Sequence, residues 1–327
     1  MGNRRKFFDF LLPSSYFHLN SITSLNTQEL KIGSWIQAFR LRTLPLALSS
    51  IGMGGFLAAS HNAFSPVVFL FCCLTTLLLQ ILSNLANDYG DYVHGADHLD
   101  RKGPKRMVQS GQISLIQMKS ALFLFTFLSL VSGLFLLYTA FGFSSGFLIF
   151  LVLGILAIVA AITYTAGNKP YGYAGLGDLS VLLFFGPVGV LGTYYLQARE
   201  FSPAILLPAI SCGLFAVAVL NLNNIRDIES DKAAGKMSVP VRLGRNKAVL
   251  YHWILLTSGI SLTVFYTLNN YRSPFQFIFL IVIPLLLING RAVKRYTTSA
   301  QLDPYLKQMA LTTLLFVLSF GAGNLLS

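Results

Sequence analysis

Residues 66–97 read PVVFLFCCLTTLLLQILSNLANDYGDYVHGAD. The first part, up to residue 86, carries no charged side chain and is long enough to cross a bilayer, which takes about 20 apolar residues. The second part contains three carboxylates, Asp88, Asp91 and Asp97. Acidic side chains beside a bilayer are costly and often mark a functional site. The segment therefore predicts a membrane helix that leads into an acidic site.

The composition of the whole chain is that of an integral membrane protein. Of its 327 residues, 54% are hydrophobic and 11% are charged, whereas a soluble domain has about 25% charged residues. Apolar segments recur without a linker between them, which predicts one membrane domain over residues 34–327. Residues 1–33 do not fit this pattern, and we expect a cytoplasmic tail that is disordered or lies at the membrane interface.

Nine apolar segments predict an all-α, polytopic bundle of about nine transmembrane helices. All but Arg199 and Arg272 of the 24 lysines and arginines fall on one side of this topology. By the positive-inside rule, the N-terminus and the acidic loops are cytoplasmic and the C-terminus is outside. Topology thus accounts for the net charge of +12 without nucleic-acid binding. The segments cover residues 43–60, 66–86, 117–138, 143–163, 176–197, 203–222, 248–268, 275–290 and 308–326.

A second acidic cluster follows the sixth segment. Asn87-x-x-x-Asp91 in the first cluster matches Asn223-x-x-x-Asp227 in the second, as in a diverged duplication. Helical spacing places Asn223, Asp227 and Asp231 on one face, where like charges repel unless a cation lies between them. We therefore expect both clusters to face one central cavity. The alternative is a solvated loop with mixed charge.

Basic residues, including Arg106 and Lys236, follow each acidic cluster closely. Mg²⁺ binds through one or two carboxylates together with substrate phosphates, and lysine and arginine neutralise the remaining phosphate charge. The pattern predicts a diphosphate site with Mg²⁺. A metal acting as a Lewis acid there would promote departure of diphosphate from an allylic carbon, and an apolar cavity would protect the cation from water.

The segment after the fourth span reads YTAGNKPYGYAGLGD over residues 164–178. Its tyrosines can hydrogen-bond an aromatic acid, and Lys169 is its only basic residue. The alternative is a plain re-entrant turn. Arg40 and Arg42 precede the first span, where they serve either as a positive-inside anchor or as a substrate contact.

These motifs resemble the UbiA-type superfamily of intramembrane aromatic prenyltransferases. The resemblance is carried by QILSNLANDYGDYVHGAD (80–97), ITYTAGNKPYGYAGLGD (162–178) and LNLNNIRDIESDKAAGKMSVPVRLG (220–244). The glycine-tyrosine loop and GPKRMVQSGQIS (103–114) are similar to the branch that prenylates 1,4-dihydroxy-2-naphthoate. That branch implies polyprenyl diphosphate as donor, demethylmenaquinone as product, loss of CO₂ and diphosphate, and a bacterial inner membrane as location.

The resemblance also implies roles for individual residues. The implied metal ligands are Asp88, Asp91, Asp97, Asp227 and Asp231. The implied catalytic residues are Asp91, Asp227, Asp231, Asn87 and Asn223. The implied substrate-binding residues are Asn84, Arg106, Lys236, Tyr164, Lys169 and Arg42.

Three alternatives remain open at this point. The first is the same reaction with a different acceptor, such as 4-hydroxybenzoate, although the glycine-tyrosine loop favours the naphthoate. The second is a transporter with internal repeats, which would place acidic residues near mid-membrane; the centres of the predicted spans carry none. The third is a non-catalytic membrane scaffold, which leaves the paired acidic motifs unexplained.

Overall fold

A computed structural model describes residues 32–95 and 106–327, and within these ranges the chain is helical without any β-strand. Nine helices in this described part are long and apolar enough to span a membrane, which confirms the predicted all-α membrane bundle. The predicted tail lies almost entirely outside the described residues. The nine helices are α1 (Ile32–Ser60), α2 (Pro66–Val93), α3 (Leu115–Phe141), α4 (Ser145–Thr163), α5 (Gly177–Ala198), α6 (Pro203–Arg226), α7 (Arg245–Asn269), α8 (Pro274–Arg295) and α9 (Ser299–Leu325).

Helix α2 begins where the sequence predicts and ends later. Its start is fixed by the side chain of Ser65, which accepts a hydrogen bond from the Val68 backbone, and by Pro66 in the first turn. Its end lies at Val93 rather than near residue 86. Hydropathy detects only the apolar part of a helix, whereas the helix itself continues through the polar residues that carry the first acidic motif.

The centre of the bundle is built from α1, α6 and α9. In α6, 67% of the most apolar window is buried inside the protein, compared with 56% in α1 and 61% in α9. The side chains of Phe215, Phe279, Phe316 and Phe320 form the core between α6, α8 and α9. By contrast, α4 has no buried residue in its apolar window and faces outward. The second acidic motif is therefore attached to the end of the most buried helix.

Helix α5 is irregular in the middle. Residues Phe184–Leu191 form π-helical turns that contain Pro187, consistent with a proline that cannot join regular α-helical hydrogen bonding. At Gly186 a Cβ atom would lie 2.8 Å from the Ala209 carbonyl oxygen of α6, so the two helices touch through their backbones. This close packing holds the middle of α5 beside the central helix.

Gly90 lets the acidic end of α2 meet the loop that follows α4. A Cβ atom there would lie 2.3 Å from the Thr165 carbonyl oxygen, which is too close for a backbone atom to accommodate. The Thr165 hydroxyl is held at the same contact, 3.0 Å from the Ala86 carbonyl oxygen and 2.9 Å from Oδ1 of Asn87. A small residue at position 90 is thus part of how the first motif is positioned.

Gly90→Ala is expected to lower the free energy of unfolding by about 1–3 kcal/mol, as overpacking does in a close-packed interior. The matched control is Gly154→Ala in α4, where a Cβ atom meets nothing within 4 Å. Because alanine favours a helix over glycine, the control should be as stable as the wild type or more so. Thermal unfolding in detergent measures both variants. Equal stability of the two variants would show that the contact at Gly90 is not tight.

Candidate active site

The two acidic motifs meet where α2 and α6 end. Asp88 and Asp91 are buried on the last turns of α2, and Asp227 is buried at the end of α6. Asp231 lies on a short helix, Ile228–Ala233, and interacts electrostatically with both Asp227 and Asp91. Burial raises the pKa of the Asp231 carboxyl, and these two negative neighbours raise it further, although Lys236 opposes the effect. A cation between the motifs would therefore favour the ionised acids.

The second motif departs from the continuous helix that its spacing predicts. The backbone bends at Asp227, which ends α6 and precedes the short helix. The Asp231 amide still donates to the Asp227 carbonyl oxygen at 2.8 Å, and the Asp227 amide donates to the Asn223 carbonyl oxygen at 3.1 Å. This local i, i+4 bonding keeps Asp231 one turn beyond Asp227 despite the bend.

Two of the predicted diphosphate ligands pair with these acids. Arg106 donates to Oδ2 of Asp91, whose Oδ1 accepts a 2.8 Å hydrogen bond from the Tyr173 hydroxyl. The ammonium of Lys236 lies 3.5 Å from Oδ1 of Asp231. A carboxylate that pairs with a base in this way could instead bind a metal cation, and the base could bind a phosphate. Each charged group would then still contact a group of opposite charge.

Arg226 is a buried residue beside the second acidic motif that the sequence patterns did not single out. Its guanidinium donates two hydrogen bonds to the Asp227 carboxylate. One runs from Nε to Oδ1 at 2.8 Å, and the other runs from an Nη atom to Oδ2 at 2.7 Å. The same guanidinium donates to Oδ1 of Asn223 at 2.9 Å and to Oδ1 of Asp303 at 2.7 Å. Its side chain is 2% exposed. An arginine beside the aspartate in NNIRD was the available signal, but its distant partner on α9 was not visible in the sequence.

The donor set fits a hard cation such as Mg²⁺, which prefers oxygen ligands. Oδ2 of Asp88 accepts from the Met107 amide at 3.2 Å, whereas Oδ1 is buried with no hydrogen-bond partner among the described residues. No three histidine, cysteine, aspartate or glutamate side chains in the described ranges are grouped closely enough to hold a metal by themselves. Mg²⁺ usually binds through one or two carboxylates and takes its other ligands from substrate phosphates and water. Asp97 lies outside the described residues.

The predicted asparagines each hydrogen-bond a neighbouring part of the protein in this structure. Nδ2 of Asn84 donates to the Phe39 carbonyl oxygen at 2.9 Å and to the Thr43 hydroxyl at 3.1 Å, which ties α2 to α1. Asn87 accepts from Thr165, and Asn223 accepts from Arg226. The structure thus gives these side chains a positioning contact beneath the acids.

Arg40 and Arg42, the basic pair before the first predicted span, interact with different acids. Arg40 has a left-handed backbone conformation (φ 50°) that interrupts α1, and it interacts electrostatically with Asp91. Arg42 lies 3.6 Å from Asp303, the acid that also pairs with Arg226. Arg40 is therefore the member of the pair that reaches the first acidic motif.

Tyr164 lies beside the acids, whereas Lys169 is exposed in the loop. The ring of Tyr171 meets the ring of Tyr164 edge-on at 5.3 Å, and the Tyr171 hydroxyl donates to the Ala160 carbonyl oxygen at 2.9 Å. Burial raises the pKa of the Tyr164 phenol, and the carboxylates of Asp178, Asp91 and Asp231 raise it further. Tyr164 is therefore held protonated, as a hydrogen-bond donor.

Fold and site together define a polytopic helical membrane protein in which two buried acidic motifs and their basic partners form one site for a charged ligand. The chain belongs to the UbiA prenyltransferase family, whose model matches residues 47–314. The resemblance drawn from the motifs is thereby confirmed.

Two bacterial relatives are similar over nearly their full lengths. The chain is 47% identical to the 1,4-dihydroxy-2-naphthoate octaprenyltransferase of Escherichia coli over 289 residues, covering 87% of this chain and 94% of that protein. It is 46% identical to the Haemophilus influenzae protein of the same name over 298 residues, covering 90% and 97%.

A solved structure shows the same fold. The UbiA homolog from Archaeoglobus fulgidus bound to GPP and Mg²⁺ matches with a TM-score of 0.63 at 18% identity, covering 88% of this chain and 99% of that chain. The arrangement of helices is thus shared across a large distance in sequence.

Proposed function

We propose that this chain transfers a polyprenyl group from polyprenyl diphosphate to 1,4-dihydroxy-2-naphthoate, with release of diphosphate and CO₂, and so forms demethylmenaquinone. The observation that carries the proposal is the meeting of Asp91, Asp227 and Asp231 with Arg106 and Lys236 at one buried site. The naphthoate acceptor follows from the two bacterial relatives. Both are 1,4-dihydroxy-2-naphthoate octaprenyltransferases, and they are 46–47% identical to this chain.

We place Mg²⁺ between the two acidic motifs, where one or two carboxylates of Asp91, Asp227 and Asp231 would bind it together with phosphate oxygens of the substrate, and where Asp88 and Asp97 are further candidate ligands. When bound, it supplies Lewis-acid stabilisation of the departing diphosphate. The solved homologue that carries both GPP and Mg²⁺ supports this assignment. The buried Oδ1 of Asp88, which lacks a partner among the described residues, supports a place for Asp88 in the same site.

The basic side chains would bind the diphosphate itself. Arg106 and Lys236 contact Asp91 and Asp231 in this structure, and we infer that they would contact phosphate oxygens in the substrate complex. Each base would then still have a partner of opposite charge, as a buried ion requires. Asn87 and Asn223 would keep the acids in position through their contacts with Thr165 and Arg226.

The acceptor would bind beside the diphosphate, next to the loop of residues 164–176. Tyr164, which is held protonated close to Asp91, supplies a hydrogen-bond donor for the acceptor. Lys169 and Arg42, which lie farther out, supply positive charge along the path of two anionic substrates. Asn84 acts indirectly, since it fixes α1 against α2.

The protein is a multi-pass membrane protein, and we place it in the bacterial inner membrane with the acidic site on the cytoplasmic side. The N-terminus is then cytoplasmic and the C-terminus outside. This orientation rests on the distribution of lysine and arginine, of which Arg199 and Arg272 alone fall on the opposite side.

A two-acceptor assay tests the function. Purified protein receives a polyprenyl diphosphate with either 1,4-dihydroxy-2-naphthoate or 4-hydroxybenzoate, in Mg²⁺ or in EDTA, and mass spectrometry detects the products. We expect a decarboxylated prenyl product from the naphthoate alone, and only with Mg²⁺. Product from the hydroxybenzoate alone would overturn the acceptor. Absence of product from both, in folded protein, would overturn the proposed function.

A further inference from the structure

Asp178 is a buried acid that belongs to neither acidic motif. It lies in the first turn of α5 and is 8% exposed. Its Oδ2 atom is buried and has no hydrogen-bond partner among the described residues. An acid in the first turn of a helix interacts favourably with the helix dipole, but that interaction leaves Oδ2 without a donor. A buried carboxylate oxygen without a donor is costly, and a ligand that donates a hydrogen bond to it would remove that cost.

Asp178 lies near Tyr164. The Tyr164 phenol interacts electrostatically with Asp178 as well as with Asp91 and Asp231 of the acidic motifs. A Cβ atom on Gly177 would be 2.7 Å from the Tyr164 hydroxyl oxygen, so this hydroxyl rests against the start of α5. The phenol of Tyr251, from α7, interacts with the same carboxylate. Two phenols thus accompany an acid that still has one unused oxygen.

The chemistry of Oδ2 of Asp178 indicates which of the two substrates it would contact. A carboxylate oxygen accepts hydrogen bonds and repels anions, so it needs a ligand with a donor. The polyprenyl chain carries no such donor, and the diphosphate is an anion. The aromatic acceptor carries two ring hydroxyls, which can donate hydrogen bonds to Asp178. It also carries a carboxylate, which the negative charge of Asp178 would repel. A hydrogen bond from a hydroxyl to a carboxylate also increases the electron density of the ring that attacks the allylic carbon.

We propose that Oδ2 of Asp178 accepts a hydrogen bond from one ring hydroxyl of the acceptor and thereby orients the ring beside the diphosphate site. This inference rests on the proposed function, because it takes its ligand from it. Asp178 is then a residue that selects a hydroxylated acceptor, distinct in role from the acids that hold the metal.

The test compares the Kd of the dihydroxy acceptor with the Kd values of two ligands that each lack one of its hydroxyls. Calorimetry in detergent, with Mg²⁺ and an inert geranyl thiolodiphosphate present, measures the Kd of 1,4-dihydroxy-2-naphthoate, 1-hydroxy-2-naphthoate and 4-hydroxy-2-naphthoate. For the wild type, one of the two monohydroxy ligands should bind about 10- to 100-fold more weakly than the dihydroxy ligand, as expected for a lost hydrogen bond to a charged group. If all three bind within about threefold, no such hydrogen bond exists and the inference fails.

The variant Asp178→Ala shows whether Asp178 makes this hydrogen bond, because alanine has no acceptor on its side chain. In this variant the difference between the dihydroxy ligand and the weaker monohydroxy ligand should fall to within about threefold, since ligand and protein changes that remove the same contact are not additive. Asp178→Leu, which also has no acceptor, takes its place if the alanine variant does not fold, and the same loss of the difference is expected. The control is Glu200→Gln, a second carboxylate that hydrogen-bonds a tyrosine, here Tyr194, near the end of α5 away from the acidic motifs. It should keep the full wild-type difference.

The two proposals can fail separately. A folded wild type that prenylates the naphthoate, with a folded Asp178 variant that keeps the full difference in Kd, would overturn the role of Asp178 alone. A wild type that does not prenylate the naphthoate would overturn the function on which it rests.

Discussion

Asp91→Asn and Asp227→Asn are each expected to lower the rate of prenyl transfer by about 10³-fold, because a metal at a departing phosphate supplies several kcal/mol of stabilisation. Both substitutions keep the size of the side chain and remove its charge. Asp91 and Asp227 are buried and lie near Asp231, so an amide at either position weakens the hold on a cation. Single-turnover measurement with the naphthoate acceptor reports the rate.

The matched control is Glu229→Gln. Glu229 is an exposed acid on the same short helix as Asp231, and its replacement should leave turnover within about twofold of the wild type, as for a surface change. Near-normal turnover in both aspartate variants would contradict the assignment of these acids as metal ligands. A loss in Glu229→Gln as large as in the aspartate variants would point to a general effect of charge in the loop.

Arg226→Met is expected to lower the free energy of unfolding by about 3–5 kcal/mol, which is typical when one partner of a buried ion pair is removed. The guanidinium makes four hydrogen bonds, to Asp227, Asn223 and Asp303. Without it, Asp227 remains buried and loses its opposite charge. Turnover should fall as well, since the second motif is no longer held in place. Thermal unfolding and turnover are measured on the same preparation.

A second substitution shows whether the loss comes from the unpaired acid. Adding Asp227→Asn to Arg226→Met removes the unpaired negative charge of the buried Asp227 carboxylate. The double variant should therefore be more stable than Arg226→Met alone. Arg291→Met, at an exposed arginine near the end of α8, is the control and should be close to the wild type. If Arg226→Met unfolds at the same temperature as Arg291→Met, the buried pair with Asp227 contributes little.

Local patterns in the sequence predicted much of this structure. A long apolar run predicts a membrane helix because a bilayer admits little else, and α2 begins at Pro66 as expected. Asn84, Asp88 and Asp91 are spaced i, i+4 and i+7, which puts them on one face of a helix, and all three are buried in α2. The nine spanning helices of the described residues follow from the same reasoning.

Contacts between distant parts of the chain could not be predicted in this way. Spacing shows which face Asn84 shares with the acids, but not that its amide would meet Phe39 in α1. The pairing of Arg226 with Asp303 joins α6 to α9 and depends on how these helices pack. Asp178 was visible as the last residue of a glycine-rich loop, yet its unused oxygen becomes evident only when Tyr164 and Tyr251 are placed around it.

The most direct test of the central claim is the binding of inert geranyl thiolodiphosphate to the wild type and to Asp91→Asn, in Mg²⁺ and in EDTA. If the acidic motifs hold a metal that holds the diphosphate, Mg²⁺ should tighten binding to the wild type by at least about tenfold and should have much less effect on Asp91→Asn. Equal affinity of the wild type with Mg²⁺ and with EDTA would contradict the account, because the diphosphate would then be bound by the basic side chains alone.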